Sequence, residues 1–135
     1  MFRAAALAVI FATLTATAPA NSQAPEVTEQ SVAYAINVAR AVSGEDPLAA
    51  QNEDLQELCE SRAEAVLASG SPARAINGEA IGRAGQGATA TDVVAALLTV
   101  EEYREALLNE DATQIGVAVE TDEFGLPVVV VETME

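Results

Sequence analysis

The chain has 135 residues, half of them apolar, with six arginines as its only cationic side chains, 21 acidic residues and no histidine. A formal net charge of −15 repels phosphate backbones and anionic lipid heads, so nucleic acid and polybasic membrane docking are excluded as partners. The composition is that of a folded domain, and a single cysteine, Cys59, allows no internal disulfide.

The first residues read as a removable leader. Arg3 precedes the apolar run "AALAVIFATLTA", and small residues follow. That run is shorter than the ~20 residues a bilayer-spanning helix needs. A signal peptide over 1–20 is expected, with cleavage after Ala20; Ala24 is the other A-x-A-like site, but Pro25 would follow it directly. The exported chain would be secreted or periplasmic, without stable membrane insertion, and residues 26–135 would form a single domain. Its acids are dispersed along the chain, which describes either a strongly solvated surface or adaptation to saline surroundings.

In chain order, "EVTEQSVAYAINVARAVSG" (26–44) has helical spacing that Gly44 stops. Val27, Ser31, Tyr34, Ala35, Val38 and Val42 line one side, and Val32, Ile36 and Ala39 another, which predicts a helix buried on both. "EDPL" (45–48) is a turn. Asn52 can cap a second helix running to Gly70 and Pro72, with Leu55, Leu58, Cys59, Ala63, Val66 and Leu67 as its apolar stripe. Glycine-rich 73–88 holds one short strand. Two brief helices follow, each opening on a capping box, Thr89…Asp92 and Thr99…Glu102. From Ile115 the chain reads as a hairpin, turning at "TDEFG" (121–125) and closing with "PVVVVETM", apolar enough for a central strand. Helices before and between such strands give an α+β layered domain.

Few residues carry chemistry. Cys59 on an apolar helix face reads as a buried, inert thiol in preference to a reactive or dimer-forming one, and a cysteine nucleophile would lack a histidine base. "TDEFG" lacks the alternating oxygen ligands of a calcium loop, and "GRAGQG" (82–87) lacks the Lys-Ser/Thr end of a phosphate loop. Glu79, alone in "INGEAIGRAG", either holds the glycine loop through backbone N–H groups or remains from a ligand or catalytic site.

Four stretches in order resemble the CAP superfamily, the cysteine-rich secretory, antigen 5 and pathogenesis-related-1 proteins, in a short bacterial form. Asn37-x-x-Arg40, then Pro47-Leu48 and Leu55, is similar to the family's opening helix, turn and second helix. "GEAIGRAGQGATATDVVAALLTVEEYREALLN" resembles its Gly-Glu-Asn-Ile to Ser-Pro-x-His-Arg stretch, and "TQIGVAVETDEFGLPVVVVETM" its terminal hairpin.

The resemblance implies a three-layer α-β-α sandwich, a small antiparallel sheet between helices, with a cleft that in many members holds two histidines and two glutamates. Carried over, the first glutamate is Glu79, and its neighbouring asparagine is Ala80. One histidine position is Tyr103, beside the matching Arg104, and the loop for the other is largely missing between Ser69 and Gly78. Glu101 or Glu102 stands nearest the second glutamate. The candidate ligand cleft is therefore Glu79, Glu102, Tyr103 and Arg104, with no metal, no cofactor and no catalytic residue expected. The leading function is a non-catalytic module for a small hydrophobic ligand, lipids and sterols being associated with this family, or for a protein partner. The alternative is a hydrolase-type enzyme using Glu79 with a second carboxylate.

Overall fold

Four consecutive valines, Val128 to Val131, are fully buried and mark the centre of the molecule. Successive strand side chains point to opposite faces, so Val128 and Val130 enter one core cluster while Val129 and Val131 enter another. The structure is a computed structural model describing residues 26–69 and 78–135. It contains helices α1 (Glu29–Val42), α2 (Glu53–Ser69), α3 (Ala90–Leu97) and α4 (Glu101–Leu107), and strands β1 (Glu79–Arg83), β2 (Gln114–Thr121) and β3 (Pro127–Met134). The expected leader, its cleavage sites and the Gly70–Pro72 helix stop lie outside the described residues.

The strands pair antiparallel in the order β1-β3-β2, which puts the valine strand in the middle, as its unbroken apolar run requires. One face packs on α2, through Cys59, Ala63 and Val66 against Ile81, Ala118 and Val130. The other carries α1 and α3, with Val32, Ile36, Val93 and Leu97 against Val117 and Val129, and Leu107 of α4 joins the same cluster. This is the α+β, three-layer arrangement anticipated from the sequence. Gly116 sets the spacing on the α2 side. A Cβ there would lie 2.9 Å from the Leu55 carbonyl oxygen and 3.0 Å from Cys59 Sγ.

Asn37 and Arg40 tie α1 to the loop after it and to the end of α4. The Asn37 amide donates to the Leu48 carbonyl at 3.2 Å and accepts from the Leu48 N–H at 2.8 Å. Arg40 is completely buried; its Nε donates to the Asp46 carbonyl, and its Nη1 to the carbonyls of Leu107 and Asn109. Carbonyls at a helix C-terminus carry partial negative charge, which suits a guanidinium.

Three details differ from the sequence expectations. First, α1 is buried on one side only. Val32, Ile36 and Arg40 face the core, whereas Tyr34, Val38 and Val42 are exposed, because the sheet offers this helix a single face. Second, Leu58 of α2 is exposed for the same reason. Third, the Thr89–Asp92 capping box forms but the Thr99–Glu102 box does not. Val100 is the N-cap of α4, and the Thr99 hydroxyl instead donates to the Ala96 carbonyl at 2.6 Å, closing α3. An unanticipated box, Thr28 with Ser31, starts α1. Such caps contribute about 1 kcal/mol each.

Candidate functional site

Glu79 opens β1 and stands opposite Glu132 of β3. Alternation along each strand sends both side chains to the α2 face, and each residue is 2% exposed. Arg62 reaches from α2 and grips the Glu79 carboxylate with two parallel hydrogen bonds, Nε to Oε2 at 2.7 Å and Nη2 to Oε1 at 2.6 Å. This fork geometry is the strong form of the Arg–carboxylate contact. Two carboxylates buried side by side repel each other, which favours the protonated form of the second. Burial first, then the hydrogen bond to Glu79 and the Glu79 charge, push Glu132 up to about 9. Its Oε2 has no hydrogen-bond partner, a loss that a neutral acid tolerates far better than an anion.

Cys59 lies beside this pair. Burial, and next the Glu132 charge, push its thiol up to about 12, which makes it the inert core thiol expected. Arg62 itself is held charged by its hydrogen bond to Glu79.

Of the four cleft candidates, Glu79 and Tyr103 lie on opposite faces of the sheet. Tyr103 packs half-buried against the core on the far face of the sheet, the cluster that contains Leu107, while Glu79 belongs to the α2 face. Glu101, Glu102 and Arg104 of α4 are exposed, and Arg104 Nη1 makes a long contact of 3.4 Å to the Leu98 carbonyl. The carboxylate that stands opposite Glu79 in the sheet is that of Glu132. A side chain from α2 grips Glu79. The acids of "TDEFG" serve the hairpin. Asp122 Oδ1 accepts from the N–H groups of Phe124 and Leu126, both at 2.9 Å, and Oδ2 pairs with Arg83 at 3.0 Å. Among the described residues no group of three or more His, Cys, Asp or Glu side chains could hold a metal ion.

A groove of about 540 Å³ opens elsewhere, along the outer edge of β2 between the first turns of α1 and α2. Its apolar lining is Ala33, Ala50, Ile115 and Val117, and its polar lining includes Glu29, Glu53, Asn52 and Gln56. Edge strands present unpaired backbone groups, and here several of these are engaged. Ala49 accepts from the Ile115 N–H at 3.0 Å and donates to the Thr113 carbonyl at 2.9 Å. The Gln56 amide completes the cover like one more strand residue, accepting from the Val117 N–H at 3.1 Å and donating to the Val117 carbonyl at 2.7 Å. The groove is a side-chain-lined recess whose strand edge is covered at Ile115 and Val117.

The layer order and the hairpin accord with a family-level match: residues 33–132 fit the model of CAP, the cysteine-rich secretory protein family. The chain belongs to the CAP family. No curated protein sequence gives a match. Among solved structures, an outer surface protein from Borrelia burgdorferi is similar, with a TM-score of 0.64 over 77% of this chain and 89% of that one. At 16% identity, that likeness concerns the fold.

In this CAP domain, Arg62, Glu132 and Gln56 hold positions that sequence reasoning does not single out. Glu132 had a signal: it is the only acid between Pro127 and Thr133 of the central strand, where an unpartnered charge would be prohibitively costly. Arg62 follows Cys59 by three positions on α2, one helical turn along the buried stripe. Nothing in the sequence marked Gln56 for the edge of β2.

Proposed function

We propose that this CAP domain is an exported, non-catalytic binding module that takes the apolar part of a small molecule into the groove beside β2. The observation that carries the reading is the groove itself, whose apolar lining and scattered polar groups match the general character of small-molecule sites, which span roughly 300–1,000 Å³. The leader-like first 20 residues support export. A hydrolytic role for Glu79 would require substrate within hydrogen-bond reach of its carboxylate. That carboxylate is buried and gripped by Arg62, and its partner carboxyl Glu132 is buried with it.

The test uses N-phenyl-1-naphthylamine, a neutral apolar fluorophore, titrated with the exported protein. Saturable binding that weakens at least about tenfold in Ala50→Trp, a substitution at an exposed groove residue, is the expected result. Absence of saturable binding, or equal binding by the variant, overturns the assignment of the groove.

A further inference from the structure

The groove has a charge as well as a shape. Glu29 stands in the first turn of α1 and Glu53 in the first turn of α2, so carboxylates reach it from two separate elements. Neither position is unusual by itself, since acids suit the positive end of a helix. Their common recess is what matters, together with the lack of a cation along it among the described residues. The arginines of the described residues are all engaged elsewhere: Arg40 with buried carbonyls, Arg62 with Glu79, Arg83 with Asp122, and Arg104 toward the Leu98 carbonyl. Glu60 and Glu120 lie close enough to Glu29 to add to the same negative field.

Resting on the groove assignment above, we infer that its ligand is an amphiphilic cation, an aliphatic or aromatic body seated on Ala33, Ala50, Ile115 and Val117 with an amine or guanidinium between Glu29 and Glu53. The apolar lining takes the body by removing it from water. The two carboxylates select the head, because opposite charges near a protein surface attract far more strongly than in bulk water. Burial and the neighbouring carboxylates disfavour ionised Glu29, and a bound ammonium would relieve that repulsion. An anionic headgroup would meet the same field with the opposite sign, so fatty acids are excluded as the natural occupants.

The experiment is displacement of the neutral fluorophore by octylamine, octanol and octanoate, three probes with one alkyl body and different heads. Octylamine is expected to displace at a concentration at least about tenfold below octanol, and octanoate least well. A cation is also drawn by the net charge of the whole molecule, so two variants are compared. The double variant Glu29→Gln with Glu53→Gln is expected to lose the amine preference, and Glu110→Gln, exposed and away from the groove, to keep it. Equal displacement by octylamine and octanol overturns the cationic class while leaving the groove assignment intact. An amine preference that survives in the double variant overturns it too, because the attraction would then come from net charge. If the fluorophore itself fails to bind, the groove assignment falls and the inference falls with it.

Discussion

Glu79 and Glu132 face each other on adjacent strands, both 2% exposed, and the Arg62 guanidinium meets the first of them. The pair shares one proton. Folding therefore takes up a proton that the unfolded chain, with carboxyls near their ordinary values, would release.

That arrangement gives a pH dependence with a definite sign. Glu132 sits at about 9 in the folded protein and near 4.5 unfolded, so the folded form binds more protons between those values. Its contribution is full below about pH 4.5 and is lost as pH rises toward 9, at no more than about 1.4 kcal/mol per pH unit. Urea unfolding midpoints measured from pH 5 to 9 should fall in the wild type and fall distinctly less in Glu132→Gln, which imitates the neutral acid. Glu79→Gln should lower stability by about 3–5 kcal/mol at neutral pH, because it breaks the buried ion pair with Arg62. Parallel pH profiles for wild type and Glu132→Gln would refute the shared proton.

Gly116 is a second place where the α2 face leaves no room. Gly116→Ala forces Cβ against the Leu55 carbonyl and Cys59 Sγ, and overpacking of this kind costs about 1–3 kcal/mol. Gly85→Ala is the matched control: nothing lies within 4 Å of its Cβ position and its φ is not positive. The control should be neutral or slightly stabilising through the unfolded chain. Thermal melts of the two variants decide the matter, and equal melting temperatures would mean that α2 can shift to accommodate a methyl group.

The fold was legible because several local signals agreed. The valine run could only be a strand buried on both faces, the Thr89–Asp92 box started α3 where it should, and Asn52 caps α2 by accepting from the Leu55 N–H at 3.0 Å. Periodicity failed at α1 because it reports which residues are apolar and not how many faces the sheet can cover; Tyr34, Val38 and Val42 follow helical spacing and still face outward. The site was less legible for a related reason. Glu79 stood out by its setting, but its partners lie 17 residues back at Arg62 and on the last strand at Glu132, and only the register of β1 on β3 brings them together. The groove depends on where two helix starts meet a strand edge, which no local pattern encodes.

Gln56 guards that edge. Gln56→Ala leaves the Val117 N–H and carbonyl without the partners they have now, at a cost of about 1–3 kcal/mol, and exposes a strand edge to pairing with other chains. Lower urea resistance together with rising light scattering on incubation is expected. Unchanged stability with no scattering would show that the amide is dispensable to β2.

Salt should act on the molecule as a whole. The formal charge of −15 makes the acidic surface repel itself, and the ion pairs Arg62–Glu79 and Arg83–Asp122 each neutralise one acid. At about 0.01 M ionic strength those charges act over roughly 30 Å, and at about 0.15 M over roughly 8 Å. Repulsion among exposed acids is therefore screened away, while the buried Arg62–Glu79 contact is barely weakened. The melting temperature is expected to rise by several degrees across that range, and to rise less in a variant with four exposed acids changed to their amides. A flat or falling response in the wild type would mean that the acids are too well solvated and too far apart to strain the fold.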